Sequence, residues 1–336
     1  MPEHRLIYAK EIVDAGLSAP DDTTMTLLEQ IVDEGVLGAS NHIRLTHDLL
    51  MHLMAADDDP GVAWLRTERA ASFVARVRGA QAPVVNTAIR ALMLDLDPLE
   101  PAKRLATLKQ RIDEWQATAI ERRRRLVDHA VTVLRPVRRL IPFDYSSTVA
   151  DIVIAAWSDM GDREIIVPES RAVAGGLRYV EAFAKAGLPV HMVLDAAFEQ
   201  ILEPGGAVLF GAESLRADGS LTNTVGSRPL ARLAQWAGVP VYGCTDLSKL
   251  DLRSYAGPID PPPIRRFDML LADADLPSTA EVRTDGPELE VVPPDVITAL
   301  LTEHDTVAPA DLWDLGRREF GDGATIHQDK AGDQQT

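Results

Sequence analysis

The sequence is short of several features that define whole classes of protein. A single cysteine, Cys244, excludes an internal disulfide and a thiolate-cluster metal site within one chain. Lysine is scarce, so the 34 basic residues are mostly arginine, and 51 acids leave a net charge of −17. That charge argues against general binding to nucleic acid or to anionic membranes.

Long apolar runs are also missing. None approaches the ~20 residues that cross a bilayer. The first residues, MPEHRLIYAKEIVDAG, carry acids and lack the apolar core of a signal peptide. We therefore expect a cytoplasmic protein with no membrane partner, and nothing in the sequence predicts a metal or an organic cofactor.

The 336 residues, 46% of them hydrophobic, suffice for two domains with a sizeable core. Helical spacing of apolar residues extends over 22–56, 62–95 and 102–134. The pattern changes near residue 136, where short apolar runs begin to alternate with helices. We predict a helical domain over 1–135, an α/β domain over 136–318 and a polar, disordered tail over 319–336.

The alternation of strands and helices in the second part is typical of a parallel sheet with right-handed crossovers. Strands are predicted at 140–143, 164–167, 190–194, 207–210, 239–242, 269–271 and 289–292. Helices are predicted at 146–157, 174–186, 196–202, 227–237 and 294–302. The fold class is therefore α/β, with a helical N-terminal domain and a Rossmann-like parallel-sheet C-terminal domain.

The stretch from Ala207 to Leu250 organises this second domain. A buried strand is followed by Gly211-Ala212-Glu213, and a tight turn follows at Ala217–Ser220, where Asp218-Gly219 suits positive φ. A polar loop with Asn223 then leads into a helix and the next strand. This order predicts a βαβ unit, whose ligands bind at the carboxyl ends of its strands.

Three polar stretches fall at such strand ends: Phe143–Thr148, Glu169–Gly176, and Gly211–Glu213 with Asn223. Helix amino termini and an arginine fork suit a phosphate group, and paired carboxylates suit proton transfer at a sugar carbon. A purely structural alternative stays open, in which Asp144 and Ser146 cap a helix and Glu169 pairs with Arg171.

Several motifs resemble the translation initiation factor 2B family. They are ESRAVAGG from Glu169, Asp195 at the end of the next strand, GAESLRADGSLTNTVGS from Gly211, VPVYGCTDLSKLD from Val239 and VVPPDVITALLTEHDTVAP from Val291. Leu37-Gly38-Ala39 and Pro83–Asn86 are similar to its early motifs. The family includes regulatory subunits of the exchange factor, methylthioribose-1-phosphate isomerases and ribose-1,5-bisphosphate isomerases.

The resemblance breaks at positions that the isomerases use. Leu37 stands where the isomerases have an arginine for phosphate before Gly-Ala. The arginine that precedes their Pro-Thr-Ala-Val-Asn run falls at Gln81, with Arg78 three places earlier. Their catalytic Cys and Asp are replaced by Asp144 and Glu213. Further departures are Ala172, Gly175 and Thr224, whereas Glu169, Arg171, Gly176, Asp195, Asn223, Gly226 and Lys249 are retained. Cys244 is interpreted as a core thiol rather than a displaced nucleophile.

The resemblance and the strand-end residues leave two main hypotheses. The leading one is a protein that binds a phosphorylated sugar or nucleotide without the family's thiol chemistry. The alternative is an aldose–ketose isomerase, an intramolecular oxidoreductase in which Asp144 and Glu213 move the protons. A third, an assembly subunit without a ligand, is weaker. The predicted binding residues are Arg78, Ser146, Ser147, Glu169, Arg171, Gly176, Asn223 and Lys249, and the resemblance implies at least a homodimer.

Overall fold

The computed structural model describes residues 3–32, 39–78, 82–160, 163–255, 257, 259, 261–262, 264–277 and 280–320. Two compact units, Met1–Arg123 and Arg124–Thr336, make up the chain. The predicted domain boundary, at 135/136, lies twelve residues further along the chain. The predictions made for Leu37, Gly38, Gln81 and the tail beyond Phe320 fall outside the described residues.

The first unit is helical, as the periodicity predicts. Its helices are α1 (Glu3–Asp14), α2 (Asp22–Val32), α3 (Ala39–Ala55), α4 (Pro60–Val77), α5 (Pro83–Met93) and α6 (Pro101–Val133), which extends past the division into the second unit. Their apolar faces bury side chains such as Leu49, Phe73 and Val85. Asp59 caps α4 by accepting from the N–H groups of Gly61 and Val62.

The second unit alternates strands and helices. Its strands are β1 (Arg139–Phe143), β2 (Glu164–Pro168), β3 (His191–Val193), β4 (Gly206–Phe210), β5 (Ser214–Arg216), β6 (Leu221–Thr224), β7 (Val241–Cys244), β8 (Leu250–Asp251), β9 (Ile264–Arg266), β10 (Asp285–Pro287), β11 (Leu289–Val292), β12 (Ala299–Leu301) and β13 (Thr306–Val307). Its helices are α7 (Ser147–Met160), α8 (Gly175–Lys185), α9 (Phe198–Ile201), α10 (Ser227–Trp236) and α11 (Leu312–Phe320). Within the described parts of the chain, no helix combines the length and apolar character needed to cross a membrane.

The main sheet has the order β13-β12-β7-β4-β1-β2-β3. Its pairs are parallel except for the edge pair β12–β13. The parallel α/β prediction is thus confirmed. The chain runs outward from β1 through β2 to β3 and then returns to β4 on the other side, so the direction of winding reverses between β1 and β4. Ligands of such sheets bind outside the carboxyl ends of the two strands at this reversal.

Helices cover both faces of this sheet. The end of α6 with α7 and α8 packs on one face, and α9, α10 and α11 pack on the other. Because β1 and β4 are sandwiched between these layers, their sequences are runs of apolar residues rather than alternating patterns.

Two sequence-based assignments are wrong. The stretch 269–271 belongs to a 3₁₀ helix, Asp268–Leu271, rather than a strand. The stretch 294–302 forms a 3₁₀ turn, Pro294–Val296, followed by β12, rather than a helix. A short apolar run does not distinguish a buried strand from a buried helix by period alone, and here pairing with β7 selects the strand.

The predicted polar loop before α10 contains a hairpin. Strands β5 and β6 pair across the Asp218-Gly219 turn, and with β8 and β11 they form a second sheet in the order β11-β6-β5-β8. The crossover from β4 to β7 through α10 is present as predicted. The hairpin carries Thr224 back toward the carboxyl end of β1.

Candidate functional site

Asp144 lies at the carboxyl end of β1, where the sheet reverses its winding. Its backbone has φ of +55°, a left-handed conformation that is uncommon outside glycine, and the residue is only 8% exposed. Its Oδ2 accepts a hydrogen bond from the Thr224 hydroxyl at 2.7 Å. These two positions are departures from the isomerase pattern, and the structure shows that they contact each other.

Burial raises the pKa of the Asp144 carboxyl to about 7. The negative charges of Glu213 and Glu288 contribute to this rise in pKa, whereas the hydrogen bonds from Thr224 and from the Tyr145 N–H oppose it. A carboxyl group with this pKa can hold or release a proton near neutral pH, which is the property required of a general acid or base.

Asp144 makes stability depend on pH. Its pKa is higher in the folded protein than the value of 3.8 for an ordinary Asp, so its stabilising contribution is complete below about pH 4 and is lost as the pH rises through about 7. We expect the free energy of unfolding of the wild type to fall, relative to Asp144→Asn, by about 4 kcal/mol between pH 4 and pH 8. Urea unfolding at both pH values measures this difference. The exposed-site control Glu181→Gln should follow the wild type, and a constant difference between wild type and Asp144→Asn would contradict the buried, protonated state.

The loop after β2 carries Glu169 and Arg171. Asp195 shapes it, since its two carboxylate oxygens accept from the N–H groups of Ser170, at 2.9 Å, and Arg171, at 2.8 Å. Ser170 and Ala174 are both left-handed, with φ of +50° and +52°. Such conformations cost about 1–2 kcal/mol each in a non-glycine residue, so the fold holds this loop in an unfavourable shape.

Arg171 is largely available for binding. Its side chain is 64% exposed, and its guanidinium lies 3.8 Å from the Glu169 carboxylate. The structural pairing considered from the sequence therefore exists, but as a long ion pair on an exposed group, which contributes little to stability. The guanidinium keeps donors that can form a bidentate contact with phosphate.

The amino terminus of α8 joins this loop to Asp144. Its N-cap residue, Ala174, supplies no side-chain cap. A Cβ added to Gly175 would lie 2.6 Å from Asp144 Oδ1 and 2.8 Å from the Tyr145 nitrogen. Only glycine fits between the end of β1 and the first turn of α8, so the loop is brought directly against Asp144.

Gly176, a predicted binding residue, has a structural role that the contacts define. A Cβ there would lie 2.2 Å from the Pro168 carbonyl oxygen and 2.8 Å from the Glu169 Cα, whereas one at Gly187 would meet nothing within 4 Å. We expect Gly176→Ala to lower the free energy of unfolding by about 3 kcal/mol through overpacking. Gly187→Ala should cost only about 1 kcal/mol, for its positive φ. Equal urea midpoints for the two variants would refute the close contact.

Ser146 and Ser147 begin α7 beside Asp144. The Ser146 hydroxyl accepts from the Val149 N–H at 3.4 Å, so it caps the helix, and the Ser146 N–H donates to the Tyr179 hydroxyl at 3.1 Å. A Cβ on Gly211 would lie 2.5 Å from the Ser146 Cβ. The segments that follow the carboxyl ends of β1 and β4 are therefore in contact. Ser147, the other predicted binding residue here, is half-buried and is the first residue of α7.

Glu213, Asn223 and Lys249 lie around the carboxyl end of β4. The Lys249 ammonium donates to the carbonyl oxygen of Ala212 at 2.6 Å, and Ala212 directly precedes Glu213 in the sequence. Asn223 is buried on β6, and its amide nitrogen donates to the Ser227 hydroxyl at 3.0 Å. Its amide therefore supports the start of α10, and its carbonyl oxygen can still accept a hydrogen bond.

The amino terminus of α10 already holds an anion. Glu290 Oε1 accepts from the N–H groups of Gly226, at 2.7 Å, and Arg228, at 2.9 Å. A carboxylate of the chain itself thus takes the place that the sequence-based prediction reserved for phosphate at a helix amino terminus. At the start of α8, beside Arg171, the N–H groups of Gly176 and Leu177 donate to the carbonyl oxygens of Glu169, at 3.1 Å, and Ala174, at 3.2 Å, and the N-cap residue adds no side-chain cap.

Two further residues singled out from the sequence are Cys244 and Arg78. Cys244 is buried in β7, and burial raises the pKa of its thiol to about 12, so it is a core thiol, as interpreted, and not a nucleophile at neutral pH. Arg78 caps α4 in the first unit. Among the described residues, no group of three or more His, Cys, Asp or Glu is arranged to hold a metal ion.

Thr224, Tyr179 and Glu290 are parts of the site that the sequence did not assign a role. Each acts on a residue far away in the chain, and Thr224 and Asp144 are 80 residues apart. The only available signal for Thr224 was its position after Asn223, where the isomerases have a lysine.

Comparisons with known proteins agree with this architecture. Residues 40–309 match the model of the "Initiation factor 2 subunit family". A ribose 1,5-bisphosphate isomerase of Haloterrigena turkmenica is 28% identical over 247 residues, covering 70% of this chain and 74% of the relative. The alpha subunit of translation initiation factor eIF2B of Caenorhabditis elegans is 26% identical over 180 residues, covering 51% and 54%.

Among solved structures, translation initiation factor eIF-2B of Pyrococcus horikoshii OT3 has the same fold. It superposes with a TM-score of 0.72 at 20% identity, over 86% of this chain and 98% of its own. The family model covers most of the chain, and the motifs at the strand ends lie within the matched range. The chain therefore belongs to the initiation factor 2 subunit family.

Proposed function

We propose that this protein binds a phosphorylated sugar at the carboxyl edge of its main sheet. The observation that carries the proposal is the contact between the Glu169–Gly175 loop and Asp144. Through this contact, the loop that carries the exposed Arg171 and a helix terminus without a side-chain cap meet a buried carboxyl group that has a pKa near 7. Arg171 and the start of α8 bind the phosphate, and Asp144 and Glu213 face the sugar hydroxyls.

The test is a thermal-shift measurement with a panel of pentose 1-phosphates, ribose 1,5-bisphosphate and nucleoside monophosphates. A ligand that binds only the native state raises its stability by about 2.7 kcal/mol at a concentration 100 times its dissociation constant. We expect at least one phosphorylated pentose to raise the melting temperature while free ribose does not. A panel without any shift would refute the proposal.

A second candidate function, sugar-phosphate isomerisation, is favoured by the pair Asp144 and Glu213. Glu213 is close enough for its charge to raise the Asp144 pKa. A carboxyl group with a raised pKa beside a second carboxyl group gives a site two groups that can exchange protons with a substrate. In a pentose 1-phosphate, one carboxyl group protonates the ring oxygen as its bond to C1 breaks, and the other removes the proton from C2 to give the enol. Delivery of a proton to C1 and removal of the proton of the C2 hydroxyl then give the ketose, with no thiol required.

Self-association is proposed through the edge of the main sheet at β3. Met192 on that strand and Leu194 after it are 42% and 64% exposed, and Leu177 on α8 is 51% exposed. Exposed strand edges with apolar side chains are typical interaction surfaces. Sedimentation at micromolar concentration should show at least twice the chain mass of 36.6 kDa. Leu194→Glu should shift the protein toward monomer, the control Leu270→Glu should not, and a purely monomeric wild type would contradict the proposal.

A further inference from the structure

A cavity of about 630 Å³ lies at the opposite edge of the main sheet, formed at the amino ends of β1 to β4. Because β1 has five residues at ~3.3 Å each, the cavity is about 13 Å or more from the carboxyl edge. Its lining includes Arg138, Arg139, Arg163 and His191. This concentration of basic side chains contrasts with a chain whose net charge is −17.

Arg163 is the deepest of these groups, with only 7% of its surface exposed. Its guanidinium donates to the carbonyl oxygens of Leu134, at 2.8 Å, and Arg135, at 3.3 Å, just past the end of α6. Both terminal nitrogens of Arg163 are therefore used to cap the C-terminal end of α6. Its Nε has no hydrogen-bond partner in the part of the chain that the structure describes.

Arg163 also lacks a close counter-charge among the described residues. None of the ion pairs there involves it, and Asp159 is the acid whose charge acts on it at longer range. Burial lowers the pKa of its guanidinium, which reports the cost of keeping this cation away from water. A buried cation without an anion is costly, so an anion bound in the cavity would relieve it.

The neighbouring arginines differ in how far they are neutralised. Arg139 donates to Glu164 at 2.7 Å and lies 3.0 Å from Glu203, and both carboxylates line the cavity. Arg138 is exposed, and its guanidinium forms no hydrogen bond or ion pair with a described residue. Three arginines against two glutamates leave one positive charge before His191 is counted.

We propose that this cavity binds the phosphate group of a small phosphate monoester. Arg138 donates to the phosphate oxygens, and the buried Arg163 guanidinium attracts the phosphate by its charge. The apolar walls at Pro189, Val190 and Pro204 pack against the uncharged part of the ligand. The volume lies within the ~300–1,000 Å³ range of small-molecule sites. The inference is independent of the function proposed for the carboxyl edge.

Calorimetric titration with phenyl phosphate and with inorganic phosphate tests the inference on the full-length protein. Phenyl phosphate should bind more tightly than inorganic phosphate because its ring fills the apolar part of the cavity. Arg138→Gln should weaken phenyl phosphate binding by about tenfold or more, since a charge-assisted hydrogen bond is lost. Arg138 is exposed, so this variant should keep its fold.

NMR of the His191 ring protons shows whether phenyl phosphate binds in this cavity. Their signal, assigned by its absence in His191→Gln, should move on addition of phenyl phosphate in the wild type and in Arg171→Ala, but much less in Arg138→Gln. The inference is overturned if phenyl phosphate does not bind at millimolar concentration. It is equally overturned if binding is lost in Arg171→Ala and unaffected by Arg138→Gln. A failure of the function proposed for the carboxyl edge leaves these outcomes unchanged.

Discussion

Arg171→Ala is expected to abolish most of the thermal stabilisation that a phosphorylated pentose confers. The guanidinium is exposed, forms a 3.8 Å ion pair with Glu169, and is held on a loop whose shape Asp195 fixes through two backbone N–H groups. Losing a bidentate phosphate contact should weaken affinity by about 100-fold. At a ligand concentration 100 times the wild-type dissociation constant, stabilisation then drops from about 2.7 to about 0.4 kcal/mol.

Arg135→Ala is the matched control for this variant. Like Arg171, Arg135 is exposed and forms a long ion pair, at 3.4 Å with Asp159, but it precedes β1 at the amino edge of the main sheet. It should retain the full ligand-induced shift, and both variants without ligand should melt close to the wild type because exposed ion pairs stabilise little. An unchanged shift in Arg171→Ala would place the phosphate elsewhere.

Asp144→Asn and Glu213→Gln are expected to have the largest effects on turnover if the protein isomerises its ligand. Each substitution keeps size and hydrogen bonding but removes the titrating proton. General acid–base groups contribute ~10²–10⁴-fold each, so kcat should fall by about that factor in each variant. The wild-type kcat/KM should also change slope near pH 7, where Asp144 titrates, and this feature should disappear in Asp144→Asn.

Conversion of a 13C-labelled pentose 1-phosphate to the ketose, followed by NMR, measures this turnover. Glu181→Gln removes an exposed carboxyl group of α8 and should leave the rate unchanged. A protein that only binds should show no ketose with the wild type, while Asp144→Asn and Glu213→Gln still bind the ligand. Wild-type turnover that survives both substitutions would exclude Asp144 and Glu213 as the proton-transfer groups.

The sequence predicted the main sheet because its strands are short apolar runs bounded by turn residues. The runs at 140–143 and 207–210 are buried on both faces, and their short length between turn residues favours a strand over a helix. Since parallel strands end at one edge, the sequence also predicted that Asp144, Arg171 and Glu213 belong to one region. The contact of the Arg171 loop with Asp144 through Gly175, and the charge effect of Glu213 on Asp144, agree with that reasoning.

The second sheet was beyond sequence-based prediction. Its strand β6 reads Leu-Thr-Asn-Thr, without an apolar run, and it is held by pairing with β11, more than 60 residues later. The same long-range pairing delivers Glu290 to the start of α10. Local patterns carry no information about such contacts, so the occupied helix terminus could not be anticipated.

The Asp144–Thr224 contact shows what the structure adds to a motif comparison. Compared one at a time with the isomerase pattern, Asp144 replaces a catalytic cysteine and Thr224 replaces a lysine. In the folded chain a hydroxyl donates to a buried carboxyl group at 2.7 Å, and the pair forms a polar centre of its own at the sheet reversal. This is why the altered residues favour a retained site rather than an abandoned one.

The most direct test of the central claim is calorimetric titration of the Arg138→Gln protein with ribose 1,5-bisphosphate and with free ribose. This background weakens any contribution from the cavity at the amino edge of the sheet. One molecule of the bisphosphate should bind per chain, binding should be lost on adding Arg171→Ala, and free ribose should give no heat of binding. Absence of binding by the bisphosphate, or equal binding by free ribose, would contradict a phosphate-dependent site at the carboxyl edge.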